Sequence, residues 1–178
     1  TQTAMAGFEH DIERAAVLAT FVPLIVSSGG NSGSQATSLI IRALAIGEIT
    51  LRDWWRVMRR ELAAGLLLGL FLGLIGLLRV NVWGLLGWFG KHTPDGRMDV
   101  DSLRAQQHYH LLAVAISVSV LGVVLWGTII GAMLPFLLKK CRLDPATSSA
   151  PFVATLVDVV GVLIYFTMAA LILKGTLL

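Results

Sequence analysis

DPATSSAPFVATLVDVVGVLIYFTMAALIL, Asp144 to Leu173, reads for most of its length as a membrane-spanning helix with one acid, Asp158, in its middle. No basic residue follows before Lys174. A lone carboxylate at bilayer depth is costly, and such residues usually face a polar cavity or an ion path. On a helix, residues three, four and seven apart share a face. Pro151, Ala154, Thr155, Gly161, Val162 and Tyr165 therefore share one with Asp158, while Leu156, Val160, Leu163 and Ile164 point elsewhere. Upstream this face is small or mildly polar and suits a narrow conduit. Pro151 brings no N–H to the carbonyl of Thr147, which is expected to leave that oxygen for water or a cation. The plainer alternative is a structural buried acid, hydrogen-bonded to a Ser or Thr.

The whole chain is consistent with a membrane setting. Its 178 residues are 56% hydrophobic and 14% charged, with mean hydropathy +0.78. Several apolar runs approach or exceed the ~20 residues that a spanning helix needs. These features predict an all-α, polytopic membrane protein with residues 1–178 forming one domain. No run alternates strictly, as membrane β-barrel strands do. The net charge of +3 and pI of about 9.4 raise the question of nucleic acid. The basic residues gather at the ends of apolar runs, as topology signals do, and no basic stripe interleaves with stacking aromatics. The lipid bilayer, not nucleic acid, is the expected partner. The single cysteine, Cys141, excludes an intrachain disulfide and a multi-cysteine zinc site. It lies in Lys139-Lys140-Cys141-Arg142, a basic turn expected to face a reducing cytosol. The start, TQTAMAGFEHDIER, has no signal-peptide pattern and reads as a chain entered partway.

In chain order, Glu9, Asp11 and Glu13 suit a helix N-terminus. Ala15 to Val26 is apolar around Pro23, where a kink is permitted. Ser27 to Ser38, SSGGNSGSQATS, is small and polar, and LIIRALAI follows it. Residues 12–46 therefore read as one long, broken helix whose central patch faces a pore, since irregular backbone at membrane depth is tolerated where it lines a cavity. An ordinary loop between two short segments is the competing reading. Gly47 to Glu61, with Arg52, Arg56, Arg59, Arg60, Trp54 and Trp55, reads as an interfacial amphipathic segment on the cytoplasmic side. A second span is expected over 62–78, where Gly65, Gly69 and Gly73 form one face for close helix packing. Arg79 to Gln107 is polar, with Trp83, Trp88 and the loop HTPDGRMDVDS, and alternation of spans puts it outside. His92, His108 and His110 have no accompanying ligand pattern and read as interfacial residues, not a metal site. A third span covers 108–138, with Gly127 and Gly131 as a small face and Pro135 near its end. The last covers 145–174, with Asp144 as N-cap and Pro145 at the first helical position.

A hard divalent cation fits these parts. Mg2+ prefers oxygen ligands and sheds water reluctantly, so it commonly keeps several waters. One acid per chain is a weak cage. Two copies of the chain about a two-fold axis, the commonest oligomer symmetry, would present two Asp158 carboxylates and balance the ion's charge.

PLIVSSGGNSGSQATSLIIRALA, GAMLPFLLKK and LDPATSSAPFVATLVDVVGVLIYF, taken together, resemble the transmembrane domain of the MgtE family of magnesium channels. The resemblance covers nearly the whole chain. It implies a homodimer with five transmembrane helices per subunit and a pore between subunits, lined chiefly by the second and fifth helices. Those helices correspond to residues 12–46 and 145–174, so the family's first helix is expected to be largely absent, with only its tail AMAGFE seen. The family's selectivity aspartate matches Asp158, and the backbone carbonyl of its motif's alanine matches Ala154. The GGN of the second helix matches Gly29, Gly30 and Asn31, with polar pore-side neighbours such as Ser34; Pro151, Thr155 and Gly161, from the helix face of Asp158, are the other expected pore-lining positions. Many members carry asparagine where this chain has Ser34 and Ala150. Many also carry cytosolic N-terminal and CBS domains, which nothing in these residues resembles.

The expected function is thus magnesium transport by a dimeric, Mg2+-selective channel that recognises the hydrated ion at Asp158. Mn2+, Co2+ and Ni2+ are further candidate ions, and a bacterial plasma membrane is the expected location. A proton- or sodium-coupled secondary transporter is the alternative, since broken helices occur in such carriers too. A non-transporting scaffold is a third class. No nucleophile–base pair or cofactor motif points to an enzyme.

Overall fold

The structure, a computed structural model, describes residues 16–89, 106–147 and 150–173. Glu9, Asp11, Glu13, the AMAGFE stretch, His92, the loop HTPDGRMDVDS and Lys174 lie outside the described residues. Among the described residues four helices carry the fold: α1 (Ala16–Ala45), α2 (Trp54–Leu85), α3 (Tyr109–Lys140) and α4 (Ala150–Leu173). One-turn 3-10 segments at Leu51–Asp53 and Pro145–Thr147 precede α2 and α4, and no strand occurs among the described residues. Even α4, with 24 residues, is about 36 Å long at 1.5 Å per residue and can cross a hydrocarbon layer of ~30 Å. The helical stretch from Leu51, and with it α3 and α4, is long and apolar enough to span a membrane. The chain is a multi-pass membrane protein.

The polar patch does not break α1, which runs helically through Ser27–Ser38. The hydroxyls explain how this is tolerated. Ser28, Ser32, Ser34, Thr37 and Ser38 each donate to the carbonyl four residues earlier. Their polar groups are satisfied within the helix, so no backbone needs to unwind. The interfacial segment and the second span also merge. The 3-10 turn leads straight into α2, which begins at Trp54 and continues past position 78 to Leu85. Asp144 accepts from the backbone N–H of Ala146 at 2.9 Å and so caps the short 3-10 turn instead of α4. Pro151 is the second residue of α4. An N–H in the first turn of a helix has no intrahelical acceptor, so the missing one frees no special carbonyl.

α3 is the central helix and packs against α1, α2 and α4, while α2 leans chiefly on α3. Contacts at the glycines fix the directions. Gly65 meets Thr128 and Gly84 meets Tyr109, so α2 and α3 are antiparallel. Gly29 lies against Val123 and Gly33 against Gly127 and Gly131, so α1 and α3 are parallel. The Tyr165 hydroxyl donates to the Leu18 carbonyl at 2.8 Å, while Ser34 reaches the Ala150 carbonyl at 3.1 Å; α4 therefore runs antiparallel to α1. Both basic connections, Arg52–Arg60 and Lys139–Arg142, consequently fall at the same end of the bundle. There the Lys139 ammonium donates to the Leu44 carbonyl at 3.3 Å, satisfying part of the open C-terminus of α1.

Buried apolar side chains form two clusters. One joins Leu18, Phe21 and Ile25 of α1 to Ile116, Val120 and Val123 of α3 and to Val162, Tyr165 and Phe166 of α4. The other, at the basic end, joins Ala36, Ile40 and Leu44 to Val57, Ala132 and Phe136. Between them α1 and α3 touch through backbone. A Cβ on Gly33 would lie 3.0 Å from the Gly127 carbonyl oxygen, and one on Gly131 would collide with the backbone of Gly33. In a membrane, where apolar burial between helices gains little over lipid, such close approach is a principal source of packing energy. Thr37 continues the contact and donates to the Gly131 carbonyl at 2.9 Å.

Gly131→Ala should therefore destabilise the bundle by about 1–3 kcal/mol through overpacking. Thr37→Val, which removes one interhelical hydrogen bond, should cost only about 0.6 kcal/mol. Unfolding of the two variants in detergent micelles ranks them; equal losses would contradict the close-approach account.

Candidate functional site at the α1–α4 seam

The site is built from the midpoint of α1 and the first half of α4. Asp158 is partly buried and lies against Gly30. A Cβ at Gly30 would stand 2.8 Å from Asp158 Oδ1 and 3.8 Å from the Ala154 Cβ. The missing side chain is what lets the carboxylate rest on the main chain of α1. Ala154 is one turn before Asp158, so its carbonyl is the helical acceptor for the Asp158 N–H and keeps a second lone pair. One turn towards the basic end, the Ser34 hydroxyl sits 2.8 Å from the Gly30 carbonyl and 3.1 Å from that of Ala150, tying α1 to α4. No basic side chain among the described residues pairs with Asp158.

The outer side of this seam is polar and open. Asn31, Gln35 and Ser38 are exposed on α1, as are Pro151 and Thr155 on α4. Asn31 Nδ2 donates to Ser27 Oγ at 3.2 Å, and Thr155 Oγ1 donates to the Pro151 carbonyl at 3.0 Å. Asn31 follows Gly30 in the chain and adds a neutral amide to the exposed side of the seam. A polar strip of this kind is a poor surface for lipid, because unsatisfied polar groups are costly in hydrocarbon.

Of the residues singled out from sequence, the fold brings Asp158, Ala154, Gly30 and Ser34 together. Asn31, Pro151 and Thr155 stand on the open side of the same seam. Gly29 and Gly161 turn inwards. A Cβ on Gly29 would run into Val123, and one on Gly161 would lie 3.0 Å from Val123 Cγ1, so both glycines seat their helices on α3. Tyr165 and Val162 are buried; the conduit-like stripe on α4 therefore stops near Asp158. The helix-to-helix ties made by Thr37 and Tyr165 were not anticipated. Their signal in the sequence is the i+4 series Gly29, Gly33, Thr37 and a lone tyrosine in an apolar run.

No group of three or more His, Cys, Asp or Glu side chains gathers among the described residues. His110 Nδ1 is 2.8 Å from Asn81 Oδ1, at the end of the bundle opposite the basic turns. Cation-binding capacity at the seam thus rests on one carboxylate, helped by neutral oxygens. Such a set can bind a cation through its water shell but cannot replace that shell alone.

The chain is thus a multi-pass helical bundle with an acid, Asp158, on a polar seam where no basic side chain among the described residues pairs with it. The family model described as MgtE, divalent cation transporter, matches residues 22–168, and the chain belongs to that family. It is 40% identical over 175 residues to a protein of Thermus thermophilus named a magnesium transporter. Proteins of the same name from Enterococcus faecalis and Bacillus subtilis are 28% and 26% identical over 174 and 162 residues. These matches cover 98%, 98% and 91% of the chain, which spans about a third of each relative's length: 34%, 33% and 31%.

Gly30→Ala should leave the bundle as stable as the parent yet lower divalent-cation flux several-fold, because the methyl group displaces the carboxylate. Gly29→Ala should instead lower stability, since its neighbour is the packed Val123. Melting temperature and metal uptake, measured on both variants, separate the two roles, and the reverse pattern would refute this division of the glycines.

Proposed function

We propose that this chain is the ion-conducting part of a Mg2+-selective channel in which two copies pair across a two-fold axis, their α1–α4 seams facing each other. The observation that carries this reading is the polar seam with Asp158 resting on Gly30. A partner copy would cover the strip formed by Asn31, Gln35 and Thr155 and turn it from a lipid-facing defect into the wall of a wet path. Two Asp158 carboxylates would then face one ion. Their summed charge balances a divalent cation and falls short for the tight dehydration of one, which favours an ion that keeps its waters, as Mg2+ does. Ala154 carbonyls and the Asn31 amides are the neutral oxygens within reach of that water shell. Mn2+, Co2+ and Ni2+ carry the same charge and compete for the same oxygens. The names of the relatives point to the same ion. An inside-negative potential favours entry, since two charges across 100 mV gain roughly 4.6 kcal/mol.

Asp158→Asn and Asp158→Ala should both abolish Mg2+-dependent growth rescue in a transport-deficient cell while the protein still reaches the membrane. Retained magnesium transport in both variants would remove Asp158 from the mechanism. Unitary currents in voltage-clamped bilayers that ignore imposed proton and sodium gradients support a channel; currents that follow those gradients establish the coupled carrier. For the dimer, Asn31→Cys in a Cys141→Ser background should form an oxidative cross-link between copies in the membrane. A monomeric product under conditions that cross-link other membrane-depth cysteines would sink the proposed interface.

A further inference from the structure

The cytosolic end of α2 carries a feature that ion conduction does not use. Trp55, Arg56, Arg59, Arg60 and Ala63 line an open cavity of about 510 Å³ on the outer surface. The three arginines recur at helical spacing, and all three are exposed. Arg56 Nη1 lies 3.7 Å from Asp53 Oδ1, while Oδ2 of the same acid accepts from the Thr50 backbone N–H and hydroxyl at 2.9 and 2.8 Å. Glu61 is half-buried on a neighbouring face of the helix. Counting both acids against the three arginines still leaves the patch positive.

The same face continues along the helix as Ala63, Leu67 and Leu70, with Leu67 70% and Leu70 52% exposed. α2 leans chiefly on α3, on the far side from the α1–α4 seam. This outer strip is apolar where acyl chains lie, and it changes to guanidinium and indole where headgroups lie. Trp54 and Trp55, with ring centroids 5.4 Å apart, mark that level. Arginine presents a planar fork that matches phosphate oxygens, and a basic cluster just cytoplasmic of a spanning helix attracts anionic lipid.

We propose that this collar is an anionic-phospholipid site. The phosphodiester sits on Arg56, Arg59 and Arg60, and one acyl chain runs along Ala63 and Leu67. A soluble acidic partner is disfavoured because the patch is continuous with lipid-exposed leucines. The site lies away from Asp158 and stands whether or not the channel reading does.

The test uses the protein purified intact and placed in nanodiscs of phosphatidylcholine with graded phosphatidylglycerol, with retained lipid counted by native mass spectrometry. The parent should retain phosphatidylglycerol in preference to phosphatidylcholine. The preference should fall about fivefold for each arginine removed in Arg59→Gln and Arg59→Gln/Arg60→Gln. Arg79→Gln is the control, because that guanidinium stacks 4.6 Å from the Trp83 ring centroid at the opposite end; it should leave the preference unchanged. Equal retention of both lipids by the parent, or an equal effect from the control, would overturn the proposal. So would competition by soluble glycerophosphoglycerol as effective as that of the lipid, which would make the patch a phosphate site without a lipid. A loss of melting temperature in the double variant without any lipid preference in the parent would assign the arginines to a protein contact instead.

Discussion

The closeness of α1 to α3 controls the rest of the molecule. Gly29 and Gly33 face Gly127 and Gly131, and where two helices meet main chain to main chain their axes come nearer than any side-chain packing allows. Drawn in at this level, α1 presents its next face, with Gly30, to α4. Asp158 then finds a groove of bare backbone instead of a side chain. Glycines at consecutive positions thus serve opposite neighbours, Gly29 for α3 and Gly30 for the acid. Exchanging either for a larger residue would move the acid, by shifting the helix in one case and by pushing the carboxylate in the other.

The hydroxyls complete this arrangement without adding charge. Ser34 and Thr37 each have one proton and two carbonyls within reach, one in their own helix and one across to a neighbour. They satisfy α1 internally and also register it against α4 and α3. Individually such bonds are worth little in a membrane. Their effect is on alignment: they hold the level at which Gly30 and Asp158 meet.

The membrane class and the all-helical character of the chain were legible in the sequence because each depends on local pattern. So was the link to the MgtE family, carried by blocks such as VATLVDVVGVLIYF. Less legible was which face of a helix each small residue would serve. Positions three apart on a helix lie about 60° to either side of a reference residue. Thr155 and Gly161 share a face with Asp158 on that rule, yet Thr155 turns to the open side and Gly161 to α3. The intact helix through Ser27–Ser38 was missed for a different reason. Glycine and serine weaken a helix in isolation, and only the pairing of the glycines with another helix, far along the chain, offsets that weakness.

The bond from Tyr165 to Leu18 has a mechanical meaning. With Ser34 and Ala150 it fastens α1 to α4 at two places, and Gly30 and Asp158 lie between them. α1 is thus a beam clamped at two supports. Pro23, inside that interval, deletes one main-chain hydrogen bond and softens the beam there. Flexure of α1 between these supports would disturb fewer contacts than parting the two helices along their whole length.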